Sequence, residues 1–261
     1  MNSRPTRLRP CLKLAAELAV CALLMATVAC DSGRGSGSGG NAQPADDAEP
    51  SAPYQAEVEE GLGAAVAILV DTSGSMKETA PGESRPKYVI AREALEATLD
   101  ATDGFVASHP DFPIKIGVYS FSSGVSNVLP LQKYDRAIVR EALSRLPSPG
   151  GGTAIGEAMR SARPDLYRAG VFRKYLLVVT DGENTAGRSP NTVARDIFRK
   201  SEGAVQTYFV AFDTSPEKFA FLKDVGGDVI GAGNGAELRA ALDDIYKGKI
   251  LAEAVDAGER K

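Results

Sequence analysis

Two uninterrupted apolar runs constrain the fold of this chain more than any other feature. Residues 64–70 read AAVAILV and residues 174–180 read KYLLVVT. A strand that is apolar at consecutive positions, rather than at alternate ones, must be covered on both faces. Between and beyond these runs, helical spacing alternates with further strands. Residues 87–101 place Val89, Ile90, Ala94, Leu95 and Leu99 on one helical face. Strands follow at 114–121 and 125–131, and the Ser-Gly between them suggests a hairpin. The spacing predicts a helix over 135–146, with Ile138, Val139, Ala142 and Leu146 on one face and Asp135 as its N-cap. Further helices are expected at 154–163, 190–202, 215–225 and 235–247, with strands at 206–212 and 228–231. Tyr119, Phe121 and Tyr208 fall on strands and are expected in the core. This alternation implies an α/β fold: a doubly wound (Rossmann-like), mostly parallel sheet with helices on both faces. Such sheets bind ligands beyond the C-terminal ends of their strands, where the strand order reverses.

The residues just past the two apolar runs are rich in oxygen donors. The first run ends in Asp71-Thr72-Ser73-Gly74-Ser75 and the second in Thr180-Asp181-Gly182-Glu183-Asn184. A third loop, Pro149-Gly150-Gly151-Gly152-Thr153, precedes a helix. Asp71, Ser73, Ser75, Thr153 and Asp181 together offer two carboxylates and three hydroxyls. That set suits a hard divalent cation. Hydroxyls are weak neutral ligands, so Asp71 and Asp181 must supply the charge that holds the ion, directly or through water. Five protein groups, some acting through water, leave a coordination position that a carboxylate of another protein can fill. Glu183 is expected at the rim.

The series Asp71-x-Ser73-x-Ser75, Thr153 and Asp181, in that order, resembles the metal-ion-dependent adhesion site of von Willebrand factor A domains. The flanking stretches AILVDTSGSM, GGTAIGEAM and LLVVTDGEN resemble bacterial members. The resemblance implies a six-stranded sheet with one short antiparallel edge strand, and central, neighbouring strands ending at Asp71 and Thr180. It implies Ser73, Ser75 and Thr153 as direct or ligand-dependent contacts, with Asp71 and Asp181 often acting through water. The ion it implies is Mg²⁺ first, then Mn²⁺ or Ca²⁺. The partner is a protein supplying an Asp or Glu.

The N-terminus reads as an address. Residues 1–29 carry Arg4, Arg7, Arg9 and Lys13, then an apolar run interrupted by Glu17, too short and broken for a membrane span. Thr27-Val28-Ala29-Cys30 resembles the lipobox of bacterial lipoproteins, although Thr27 replaces the usual Leu or Val. The resemblance implies a lipid on Cys30 and attachment to the inner or outer membrane of a bacterial cell envelope. An ordinary signal peptide cut near Ala29, with Cys30 incidental, is the alternative. Residues 30–60 then form the lipidated Cys and a Gly/Ser/Pro-rich linker that cannot bury enough apolar surface to fold. Residues 61–247 form the domain and 248–261 a charged tail.

Several function classes lose support. The whole chain holds 30 basic and 34 acidic residues, and removing four basic and one acidic residue with the leader leaves 26 against 33. That acidic balance argues against nucleic acid. The cysteines are Cys11, Cys21 and Cys30, so the domain has neither disulfide nor thiolate metal site. His109, the one histidine, sits beside Pro110 in a polar loop and reads as a solvated residue, which leaves little material for a Ser-His or Cys-His nucleophile. An aspartyl phosphatase would carry a second Asp at position 73, where this chain has Ser. Gly35-x-Gly37-x-x-Gly40 has no flanking strand or helix. The loop 231–236 is better read as a helix start capped by Asn234 with Glu237, so no nucleotide is expected. The expectation is a non-enzymatic, metal-dependent adhesion or envelope scaffold. The alternative is an assembly or regulatory subunit of a membrane complex or partner ATPase. A metal-dependent hydrolase ranks below both.

Overall fold

The computed structural model describes residues 61–252. The leader, Cys30 and the linker lie outside the described residues, as does the end of the charged tail. In chain order the elements are β1 (Gly61–Asp71), α1 (Lys87–Ser108), β2 (Ile114–Phe121), β3 (Val125–Lys133), α2 (Arg136–Ser144), α3 (Ile155–Tyr167), β4 (Val171–Thr180), α4 (Pro190–Lys200), β5 (Val205–Phe212), β6 (Asp228–Ala232) and α5 (Gly235–Ile245). Two 3₁₀ segments, Gly74–Lys77 and Pro216–Val225, and a π-helical turn at Tyr246–Leu251 complete them.

The six strands form one sheet in the order β3-β2-β1-β4-β5-β6. All neighbours run parallel except β2 and β3, which form the expected hairpin. The antiparallel edge strand β3 spans nine residues and is not short; β6, with five, is the shortest. From β1 the chain moves outward through β2 and β3, then crosses back to lay β4 on the other side of β1. The reversal therefore falls between the C-terminal ends of β1 and β4.

The strand alternation explains why β1 reads apolar throughout. Ala64, Val66, Ile68 and Val70 enter one core with residues of α1, α2 and α5. Ala65, Ala67 and Leu69 enter the other, with residues of α3 and α4. Ala65 and Ala67 share that core with Ala158 and Ala162 of α3, small residues that suit close packing of a helix on a sheet. Tyr119, Phe121 and Tyr208 are all buried, as expected.

Four local expectations need correction. Helix α3 continues past Pro164 to Tyr167 rather than stopping at 163. Proline removes one hydrogen bond, but Leu166 is fully buried beyond it, and packing holds the last turn. In α2 the buried stripe is Val139, Ala142 and Leu143, while Ile138 stands at its edge, 40% exposed. Helix α1 runs on to Ser108 instead of ending at 101, carried by buried Thr102 and Phe105. The packed domain also extends past residue 247, because the π-helical turn buries Ile250 and Leu251. The caps are as expected: Asp135 accepts from the Ile138 amide at 3.0 Å, and Asn234 from the Glu237 amide at 3.0 Å. Among the described residues no helix is long and apolar enough to cross a membrane.

Candidate metal centre

The switch point brings the oxygen-bearing loops together. Asp71 closes β1 and is fully buried. Its Oδ1 accepts the Ser73 amide at 2.7 Å and its Oδ2 accepts the Thr180 hydroxyl at 2.6 Å. The chain then turns through the 3₁₀ segment 74–77. There Ser73 Oγ and Ser75 Oγ lie 3.1 Å apart, and Ser75 Oγ donates to Asp181 Oδ1 at 2.7 Å. Four of the five expected residues are thus joined in one hydrogen-bonded set.

Thr153 reaches the same place by backbone anchorage. The Gly150 amide donates to Thr72 O at 2.8 Å and the Gly74 amide to Gly151 O at 3.0 Å, which ties the glycine loop to the turn after β1. Gly151 has φ +78°, and a β-carbon there would meet Ser123 Oγ at 2.6 Å, so the loop passes only as glycine. The Thr153 amide donates to Thr185 Oγ1 at 2.8 Å and its carbonyl accepts the Thr185 amide at 2.8 Å. A β-carbon on Gly182 would lie 3.9 Å from Thr153 Oγ1, which places that hydroxyl over the backbone beside Asp181.

Electrostatics favour a cation here. Burial pushes the Asp71 carboxyl up to about 6, against hydrogen bonds from Thr180 and Ser73 that lower it, and the charge of Asp181 raises it further. A cation beside such a buried carboxylate offsets the cost of ionising it. Among the described residues no group of three or more His, Cys, Asp or Glu is arranged to hold a metal. A site here relies on hydroxyls beside two carboxylates, a donor set that fits a hard divalent ion and not a soft one.

Sequence reasoning missed several contributors. Thr180 and Thr185 hold Asp71 and Thr153. Lys87, the first residue of α1, reaches Asp181 Oδ2 at 3.1 Å and Asp213 Oδ2 at 2.7 Å. Burial pulls the Lys87 ammonium down, and Asp213 and Asp181 more than offset it, so its pKa stands above the ordinary value. The signal for Lys87 was its odd place, a cation at a helix N-terminus with no acidic residue in the first turn. Glu183 is exposed at the rim, paired with Lys218 at 3.1 Å. His109 lies at the far end of α1, about 30 Å from Lys87 by helical rise, stacked on Phe105.

The decisive comparison covers these loops. Residues 66–183 match the family model for the von Willebrand factor type A domain. The matched segment contains all five candidate ligands. Among solved structures, the conserved hypothetical protein BatB from Bacteroides thetaiotaomicron is 21% identical with a TM-score of 0.56, covering 73% of this chain and 99% of that one. An aerotolerance-related membrane protein from Bacteroides fragilis is 19% identical with a TM-score of 0.53, covering 71% and 99%. Proximal thread matrix protein 1 from the mussel byssus, with a zinc-occupied MIDAS motif, is 20% identical with a TM-score of 0.55, covering 76% and 47%. At these identities the likenesses show a shared fold. No curated protein sequence matches the chain.

Proposed function

We propose that this chain is an envelope lipoprotein whose von Willebrand factor A domain holds a divalent cation and offers it to a carboxylate of a protein partner. Asp71, Ser73, Ser75, Thr153 and Asp181 hold the ion, which is Mg²⁺ in the first instance, with Mn²⁺ and Ca²⁺ as competitors. The observation that carries the reading is the linked set of Asp71, Ser73, Ser75 and Asp181 at the switch point, with the Asp71 carboxyl pushed up to about 6 by burial and by the charge of Asp181. The mussel protein's zinc-occupied MIDAS motif supports a metal on this fold, and the membrane protein from Bacteroides fragilis supports an envelope setting. A lipid on Cys30 provides the attachment.

The role is binding, not catalysis. Hydrolysis needs a general base. Both oxygens of Asp71 accept hydrogen bonds, and Asp181 is held by Ser75 on one oxygen and Lys87 on the other. Glu183 is turned to Lys218. With Asp71 and Asp181 engaged as ion ligands and Glu183 paired with Lys218, no carboxylate is reserved for the role of general base, which supports display.

Ion binding to the folded state raises the melting temperature with ion concentration. The full chain, purified in detergent, is melted in EDTA and then in Mg²⁺, Mn²⁺ or Ca²⁺, beside Thr153→Ala and Asp181→Ala. A rise that both variants lose supports the assignment; no rise with any ion removes it. Mass spectrometry of the Cys30 peptide reads the lipid separately, and an unmodified free cysteine there rejects the anchor.

A further inference from the structure

Lys87 stands where a lysine is electrostatically out of place. It opens α1 after Pro86, at the positive end of the helix dipole. Its side chain is only 5% exposed. A buried ammonium is tolerated only when carboxylates surround it. Asp213 Oδ2 lies 2.7 Å away, Asp181 Oδ2 3.1 Å and Glu78 Oε2 3.5 Å, the last on a largely exposed side chain.

Asp213, the closest, is itself held in an unusual backbone state. It follows β5 with φ +52°, a left-handed conformation that a residue with a β-carbon adopts at a cost. Its amide donates to Ala232 O at 2.7 Å. The fold therefore fixes a third carboxylate beside Lys87, behind the candidate ligands. Asp181 is clamped between two groups, with Oδ1 on Ser75 and Oδ2 on Lys87.

We propose that Lys87 is a built-in counter-cation of the metal centre: its ammonium, seated between Asp181 and Asp213, orients Asp181, stabilises the ion-free site and weakens the site's hold on a divalent ion. The inference rests on the metal-binding reading above and adds what sets the affinity. The charges support it. Asp71, Asp181 and Asp213 oppose one ammonium, and a divalent ion brings those groups to neutrality; the charge of Glu78, largely exposed, is screened by solvent. Without Lys87 the same carboxylates are overcharged when empty and still negative when filled, so the ion is attracted more strongly.

The test compares the full chain with Lys87→Met, Lys87→Gln, Lys87→Arg and the double variant Lys87→Met/Asp213→Asn. Each is titrated with Mg²⁺ by calorimetry and melted in EDTA, with circular dichroism to check folding. Loss of one nearby positive charge tightens Mg²⁺ binding by about tenfold or more in Lys87→Met and Lys87→Gln, while the EDTA melting temperature falls. Lys87→Arg keeps the charge and stays near wild-type affinity. The double variant restores the net charge and returns to within about threefold of wild type, a recovery that a merely structural lysine does not produce. Folded Lys87→Met and Lys87→Gln proteins that bind Mg²⁺ no tighter than wild type overturn the proposal, and so does a double variant that stays tight. If neither wild type nor any variant binds an ion, the metal reading itself fails and takes this one with it. Binding in the variants alone upholds both.

Discussion

Replacing Asp71 with Asn should raise the melting temperature of the ion-free protein at neutral pH, although it removes a proposed ligand. The Asp71 carboxyl is fully buried, and its pKa climbs from 3.8 to about 6. The folded state therefore holds this proton more tightly than the unfolded chain does. The resulting stability is complete below about pH 4 and is lost as pH rises to about 6. At about 1.36 kcal/mol per pH unit, ionising Asp71 withdraws on the order of 3 kcal/mol by pH 7. Asn escapes that loss and keeps the contacts. Its carbonyl accepts the Ser73 amide, and its amide donates to Thr180 Oγ1, whose own hydrogen turns to Gly182 O at 3.2 Å. A domain of this size shifts by ~2–4 °C per kcal/mol, so Asp71→Asn should melt about 6–12 °C above wild type in EDTA at pH 7.5. The gap should nearly close at pH 4. In saturating Mg²⁺ the order should reverse, because only wild type gains from the ion. Melts by circular dichroism at the two pH values decide it. A variant at or below wild type in EDTA at pH 7.5, or a gap independent of pH, refutes the reasoning.

Two further outcomes test the frame around the site. Gly156→Ala places a β-carbon 2.1 Å from the Arg188 carbonyl oxygen, so α3 must shift against the 188–189 loop, with a loss of about 1–3 kcal/mol in urea unfolding. Asp135→Ala removes the cap on the Ile138 amide and should lower stability by about 1 kcal/mol while leaving the Mg²⁺ response of the melting temperature unchanged.

Elements whose burial follows a simple period were readable without coordinates. β1 and β4 announce themselves because both their faces are covered, and α2 and α5 because Asp135 and Asn234 cap them locally. Boundaries failed where distant packing overrides a local rule. Pro164 argues for a helix end, yet Leu166 has a buried seat beyond it. Ile138 matches the apolar spacing of α2 but stands at the edge of the buried stripe, partly exposed.

The candidate ligands divide along the same line. Asp71, Ser73, Ser75, Thr153 and Asp181 were legible because each follows a strand or precedes a helix, in loops whose composition is itself a signal. The sequence determined the alternation of strands and helices and the oxygen chemistry of those loops, since both depend on residue type and short-range spacing. Spacing alone did not make β1 and β4 neighbours; the resemblance implied it, and the strand order of the tertiary structure shows it. That adjacency sets Ser75 2.7 Å from Asp181, brings Lys87 between Asp181 and Asp213, and buries Asp71 deeply enough to move its proton affinity. Charge pairing and desolvation depend on distances between residues far apart in the chain, and no local pattern encodes those distances.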